Sequence, residues 1–189
     1  LYILATQLDA LQKGDILVLA GSIPTVLPST IYRDIMKRLQ KREVMIVVDA
    51  TKDLLLNVLK YHPFLIKPNN HELGEMFGTV CKTDEDIIHY AKKLQEKGAV
   101  NVLISMAGDG ALLIDETGKQ HVCGVCKGTV KNSVGAGDSM VAGFLTGWME
   151  KKDYVHAFHM GIAAGSASAF SENLATREEV LQVLQQVEQ

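Results

Sequence analysis

Several features that fix a protein's class at a glance are scarce in this sequence. Among 189 residues there are three cysteines, four prolines and one tryptophan. Cys81, Cys123 and Cys126 are too few and too irregularly spaced for a disulfide framework. Nineteen basic residues against 22 acidic ones leave a formal charge of −3. No basic field therefore advertises nucleic acid or an anionic membrane, and any phosphate binding has to be local. No apolar run approaches the ~20 residues that a membrane helix needs, and the start lacks the basic, apolar, small-residue order of a signal peptide. These absences predict a cytoplasmic protein with neither a membrane nor a nucleic acid as partner. No Ser/Pro-rich linker and no internal repeat interrupts the chain, so one domain is expected. With 47% apolar residues, that domain has enough material for a substantial core, which excludes disorder.

The order of apolar segments is that of an α/β protein. Ile16-Leu17-Val18-Leu19 is a continuous apolar run, typical of a strand buried on both faces, and it ends at Gly21-Ser22-Ile23-Pro24. A helix follows from about Ser29 to Lys41, then the strand Val44–Val48, a helix over Lys52–Lys60 and a short strand at Phe64–Ile66. Thr83 with Asp86 makes a capping box for a helix running to about Lys97, before the strand Asn101–Ser105. Such alternation specifies a parallel sheet. Past Ser105 the order becomes strand after strand, with a turn at Met106–Gly110, a strand at Ala111–Asp115 and another over Lys119–Cys126, which predicts a hairpin. Three helices finish the chain: Gly137–Glu150, Asp153 to about Phe170, and one capped by Thr176 with Glu179. Leu1, Leu4, Leu8 and Leu11 share one helical face, so the numbering is expected to begin inside a helix of a larger polypeptide.

Ligands of open parallel sheets sit at the carboxyl ends of the strands. Gly21-Ser22, Asp49, Lys67–Asn69, Ser105–Gly110 and Gly135–Asp138 all follow strands or lie at loop-to-helix turns, and they are expected to share one edge. The last segment is the most telling. In Asn132-Ser133-Val134-Gly135-Ala136-Gly137-Asp138-Ser139 the glycines permit a turn whose amide groups converge, and Met140, Val141, Phe144, Leu145 and Trp148 then recur at helical spacing. A helix N-terminus with orphan N–H groups is an anion site. A carboxylate, Asp138, at such a site is either a capping residue or a general base.

The run from Asn132 through Phe144 resembles the second signature of the PfkB carbohydrate kinases, which have the ribokinase-like fold. The resemblance implies a three-layer α/β/α sandwich with a mostly parallel sheet, here expected to lack the family's N-terminal portion, which contains most of the sugar-binding residues and the lid. It implies that Asp138 is the catalytic base and that Gly135, Ala136 and Gly137 form the anion hole. Lys67-Pro68-Asn69-Asn70-His71-Glu72 resembles the family's N-x-x-E motif, with Asn69 and Glu72 at the matching positions. In that motif the Glu organises Mg²⁺ and the phosphates through water, and in some members the Lys contacts a nucleotide phosphate. Pro68 holds Lys67 extended. Ser105-Met106-Ala107-Gly108-Asp109-Gly110 resembles the family's S-x-G-x-x-G nucleotide-contacting turn. Ser105 and Gly110 match, Ala107 replaces the usual glycine, and Gly108 follows one place later. Asn173 resembles a position near the adenosine pocket.

Within the family, Ala20–Pro24, Asn132–Met140 and Ser171–Glu179 place the likeness in the hexose-phosphate subgroup. The implied reaction is MgATP-dependent phosphorylation of fructose 1-phosphate to fructose 1,6-bisphosphate. Tagatose 6-phosphate and fructose 6-phosphate are alternative acceptors, and a homodimer through the lid is the family's usual assembly. A different class, a kinase-like regulator that binds nucleotide or sugar phosphate without turnover, is opposed by the presence of Asp138. The spacing fails both G-x-G-x-x-G and G-x-x-x-x-G-K-[ST], which excludes the common dehydrogenase and Walker loops.

The remaining signals point to packing. Cys123-Gly124-Val125-Cys126 lacks a second pair and reads as strand rather than as half a zinc site. His156 and His159 have no H-E-x-x-H context, and Gly161–Ser168 is a small-sided helical stretch that a neighbouring backbone or a flat ring can approach.

Overall fold

The structure, a computed structural model, describes residues 2–188, so Leu1 of the leucine stripe lies outside the described residues. The chain forms two compact units: one runs through Ile104 and includes Glu116–Gly118, and the other comprises Ser105–Asp115 and the segment from Lys119 onward.

In the first unit the elements are α1 (Tyr2–Ala10), β1 (Ile16–Ala20), α2 (Ile31–Leu39), β2 (Met45–Asp49), α3 (Lys52–Leu56), β3 (Leu65–Ile66), α4 (Asn70–Phe77), α5 (Asp84–Glu96) and β4 (Asn101–Ser105). Parallel pairing joins β1 to β2, β2 to β3 and β3 to β4, as the alternation of helices and strands requires. Val47, Val48, Leu65, Ile66, Val102, Leu103 and Ile104 are wholly excluded from solvent, because central strands of a parallel sheet are covered on both faces. Asn101 is also fully buried, and it is satisfied: its amide donates to the Phe64 carbonyl at 2.8 Å and accepts from the Glu116 N–H at 2.8 Å.

Two expectations fail in this unit. Within this chain alone one face of β1 is covered, for Leu19 is 6% exposed while Val18 on the alternate face is 43% exposed. The helix expected over Lys52–Lys60 stops at Leu56, with Asn57 as its cap, and a separate 3-10 turn forms at Leu59–Tyr61. The Leu59 carbonyl of that turn lies against the Cα of Gly98, which has φ +127°, and the His62 ring bonds the Gly98 carbonyl at 3.0 Å. This backbone-to-backbone approach holds the 3-10 turn in place.

The second unit contains a 3-10 turn (Ala107–Asp109), the antiparallel hairpin β5 (Ala111–Ile114) and β6 (Gln120–Cys123), and the helices α6 (Ala136–Lys151), α7 (Tyr154–Phe170) and α8 (Arg177–Val187). β6 stops at Cys123 rather than Cys126. Gly110, at φ +94°, presses its Cα against the Cys123 carbonyl and Gly124, and the chain leaves the sheet there. Asp115, just past β5, and His121 of β6 form a buried 2.8 Å pair.

α6 and α7 make the tightest helix contact, and glycine is the reason. A Cβ on Gly143 would stand 2.5 Å from the Met160 carbonyl and 2.6 Å from the Ala164 Cβ. A Cβ on Gly147 would stand 2.9 Å from the Ala157 Cα, and Gly161 and Gly165 face the Met140 and Ala136 carbonyls in the same way. The small-sided stretch of α7 is thus a helix interface rather than a bed for a ring. α8 begins with the expected capping box, in which the Thr176 N–H donates to Glu179 Oε2 at 2.7 Å. No helix among the described residues is long and apolar enough to cross a membrane.

Two stability tests follow. Gly143→Val forces α6 away from α7 and is expected to lower the unfolding free energy by about 1–3 kcal/mol, measured by denaturant titration of the full-length protein carrying this sequence. Ala107 is held at φ +46°, in the left-handed region that costs a residue with a Cβ about 1–2 kcal/mol. Ala107→Gly should therefore raise stability by about 1 kcal/mol in the same assay.

Candidate functional site

At the carboxyl ends of the first unit's strands, Lys67 follows β3 and is only 8% exposed. Its ammonium lies 3.4 Å from the carboxylate of Asp49, the last residue of β2. At the end of β1 the Gly21 N–H donates to the Asp49 carbonyl at 3.2 Å, and the Tyr32 hydroxyl donates to the Ala20 carbonyl at 2.7 Å. Burial, followed by the charge of Asp49, raises the Tyr32 phenol above its ordinary value, so it stays a neutral donor. Gly21, Asp49 and Lys67 thus share one edge because their strands run parallel.

Asn69 and Glu72 open α4 as a reciprocal capping box. The Asn69 side chain accepts from the Glu72 N–H at 2.8 Å, and Glu72 Oε2 accepts from the Asn69 N–H at 2.8 Å. Both residues therefore have a structural task, and that task fixes their side chains at the strand end. Mg²⁺ bound chiefly through phosphate oxygens and water asks little of the protein. No group of three metal-ligating side chains occurs among the described residues, and a half-buried Glu72 acting through water fits that requirement.

The other predicted residues belong to the second unit. Ser105 ends β4, and the turn beyond it is closed by the Met106 N–H donating to the Gly110 carbonyl at 2.9 Å, with Gly108 exposed at its crest. Ala107 takes the left-handed conformation at the place where the family pattern has glycine.

Gly135 is the N-cap of α6 at φ +80°, and a Cβ there would also meet Leu174 at 2.7 Å. The Ala136 N–H turns back to the Ser133 carbonyl at 3.2 Å, and the helix ladder begins with the Ser139 N–H bonding the Gly135 carbonyl at 2.9 Å. Between them the N–H groups of Gly137 and Asp138 have no backbone acceptor among the described residues. Asp138 is exposed and makes no capping bond. The arrangement can receive an anion on two amides beside a carboxylate that is open to solvent.

Asn173 is exposed in the segment between α7 and α8. Sequence reasoning missed the residues that brace this segment to the turn. Asn132 accepts from the Val134 N–H at 3.0 Å and donates to the Glu172 carbonyl at 3.2 Å. Ser168 donates to Ser139 Oγ at 2.8 Å and accepts from the Ala175 N–H at 3.1 Å. An Asn two residues before a turn amide was the one available local signal. A groove of about 560 Å³ among α6, α7 and α8 touches Ser139 but none of Gly135–Asp138, and Ser139, Ser168 and Thr146 in its wall are already hydrogen-bonded. His156 is tied to Glu150 at 2.9 Å, as a packing residue would be.

Comparison with known proteins places this geometry in context. The pattern of the pfkB family carbohydrate kinases matches residues 3–180. The 1-phosphofructokinase of Bacillus subtilis (strain 168) is 49% identical over 181 residues, covering 96% of this chain and 59% of that protein. The D-tagatose-1-phosphate kinase of Bacillus licheniformis is 33% identical over 186 residues, covering 98% of this chain and 61% of that protein. This chain thus spans about three-fifths of the length of these relatives. Among solved structures, phosphofructokinase-2 from Escherichia coli in complex with substrates and products superposes with a TM-score of 0.93 at 25% identity, over 100% of this chain and 62% of that one. Arabidopsis thaliana ribokinase complexed with ribose and ATP superposes at 0.76 with 23% identity, over 89% and 55%, so the fold is ribokinase-like. The chain belongs to the pfkB family of carbohydrate kinases.

Proposed function

We propose that the protein carrying this chain transfers the γ-phosphoryl group of ATP to a sugar phosphate, and that fructose 1-phosphate is the acceptor. The observation that carries the reading is the start of α6: Asp138 exposed and uncapped, beside two amides without a backbone acceptor, after a residue held at φ +80°. In this reading Asp138 accepts the proton of the attacking sugar hydroxyl. Gly135, Ala136 and Gly137 shape the turn, and its N–H groups with the helix dipole stabilise charge on the transferring group. In the first unit Lys67, Asn69 and Glu72 are nucleotide-binding residues in this reading, and in the second unit Ser105, Gly108, Gly110 and Asn173 are, each by the family motif that it matches. Mg²⁺, when bound, neutralises the triphosphate, and Glu72 orients the water around it.

The acceptor is inferred from the 49% identical relative named 1-phosphofructokinase. A second acceptor, D-tagatose 1-phosphate, is favoured by the 33% identical relative of that name. A regulator without turnover is opposed by Asp138. Cytoplasmic location and self-association through the family's lid belong to the same proposal.

Asp138→Asn in the full-length protein should lower kcat by ~10²- to 10⁴-fold with MgATP affinity largely retained; near-normal turnover would remove Asp138 as the base. In a coupled assay with fructose 1-phosphate, tagatose 1-phosphate, fructose 6-phosphate and tagatose 6-phosphate, the highest kcat/KM is expected for fructose 1-phosphate. Purified residues 1–189 are expected to phosphorylate none of the four, and measurable turnover by them would refute the assignment of the sugar site to the rest of the protein.

A further inference from the structure

We infer that Asp49 is a positioning residue: it holds the Lys67 ammonium in the direction from which it meets a nucleotide phosphate. The inference rests on the nucleotide-binding role proposed above for Lys67.

The register makes the pair. Val47 is opposite Leu65 and Val48 opposite Ile66, so the next positions along the parallel strands are Asp49 and Lys67. Register partners of parallel strands project to the same face, and Lys67, the first residue beyond β3, continues that register far enough to bring its ammonium to the Asp49 carboxylate. The two side chains are 20% and 9% exposed, and their charged atoms are 3.4 Å apart.

A lysine in this setting has to be paired, because an ammonium withdrawn from water without a partner is strongly disfavoured. An ammonium has three donors on a rotatable stem, so a single carboxylate that takes one of them leaves the others to point outward. Asp49 is itself anchored. Its carbonyl accepts from the Gly21 N–H, and the neighbouring Ala20 carbonyl is held by Tyr32. The following residue, Pro68, keeps the Lys67 backbone extended, so both ends of the pair are fixed by main chain rather than by flexible side chains. An exposed phosphate-binding lysine needs no such support; one buried at a strand end does.

The test uses the full-length protein with MgATP and fructose 1-phosphate. Lys67→Ala first asks whether Lys67 serves the nucleotide: an unchanged KM for MgATP would sink that reading, and the inference about Asp49 with it. Given a raised KM in Lys67→Ala, Asp49→Asn should raise the KM for MgATP by about tenfold while the KM for the sugar phosphate and kcat change little. Asp49→Asn combined with Lys67→Ala should be no worse than Lys67→Ala alone. An unchanged KM in Asp49→Asn overturns the inference, and so does a double variant whose loss multiplies the two single losses, since Asp49 would then act independently of Lys67, for example through a metal ion. A loss of folded protein with an unchanged KM in the remainder marks Asp49 as merely structural. If Asp49→Asn does not fold, Asp49→Glu carries the test: its longer arm keeps the charge but displaces the ammonium, and an unchanged KM overturns the inference.

Discussion

Residue-by-residue parallel pairing is the constraint on which the first unit depends. It aligns the ends of β1, β2 and β3, so that Gly21, Asp49 and Lys67 arrive at one edge although 18 or more positions separate each from the next in the chain. The hydrogen bonds of the ladder are individually modest, about 1 kcal/mol net, but they are collectively obligatory because buried peptide groups have no water to turn to. The polar residues at the edge inherit that precision. Lys67 tolerates burial because the same register that buries it supplies Asp49.

In the second unit a helix interface built on glycines has the corresponding role. Gly143, Gly147, Gly161 and Gly165 bring the backbones of α6 and α7 close enough for main-chain carbonyls to touch Cα atoms. Gly165 packs against the Ala136 carbonyl, inside the first turn of α6. The N-terminal end of α6 is therefore clamped where it begins, with Asn132 and Ser168 bracing the loops on either side. A helix N-terminus that must stabilise charge without reorganising benefits from such fixation.

Several residues to which the family resemblance assigns a functional role also have a structural one. Asn69 and Glu72 form an ordinary capping box, and the cap fixes the two side chains that the N-x-x-E resemblance assigns to Mg²⁺ and phosphates. Gly135 is required by its positive φ and again by the nearness of Leu174. Ala107 shows the reverse: it keeps the backbone conformation of a glycine turn without the glycine, and the turn bears the strain.

Much of this was legible in the chain itself. The alternation of apolar runs and amphipathic stretches gave every strand to within a few residues, because period and length report directly on burial and pitch. Capping boxes at Thr83 and Thr176 located helix starts, since that chemistry is local. The Gly-rich turn, its Asp and the N-x-x-E pair were visible as patterns for the same reason. What the sequence did not carry was anything set by non-local approach. The 3-10 turn at Leu59–Tyr61 rests against Gly98, the early end of β6 against Gly110, and the Asp49–Lys67 pair depends on register across two strands. Local composition determines which conformations a segment prefers. Only the folded structure decides which backbones meet, and there a missing Cβ or a shared register position settles the outcome.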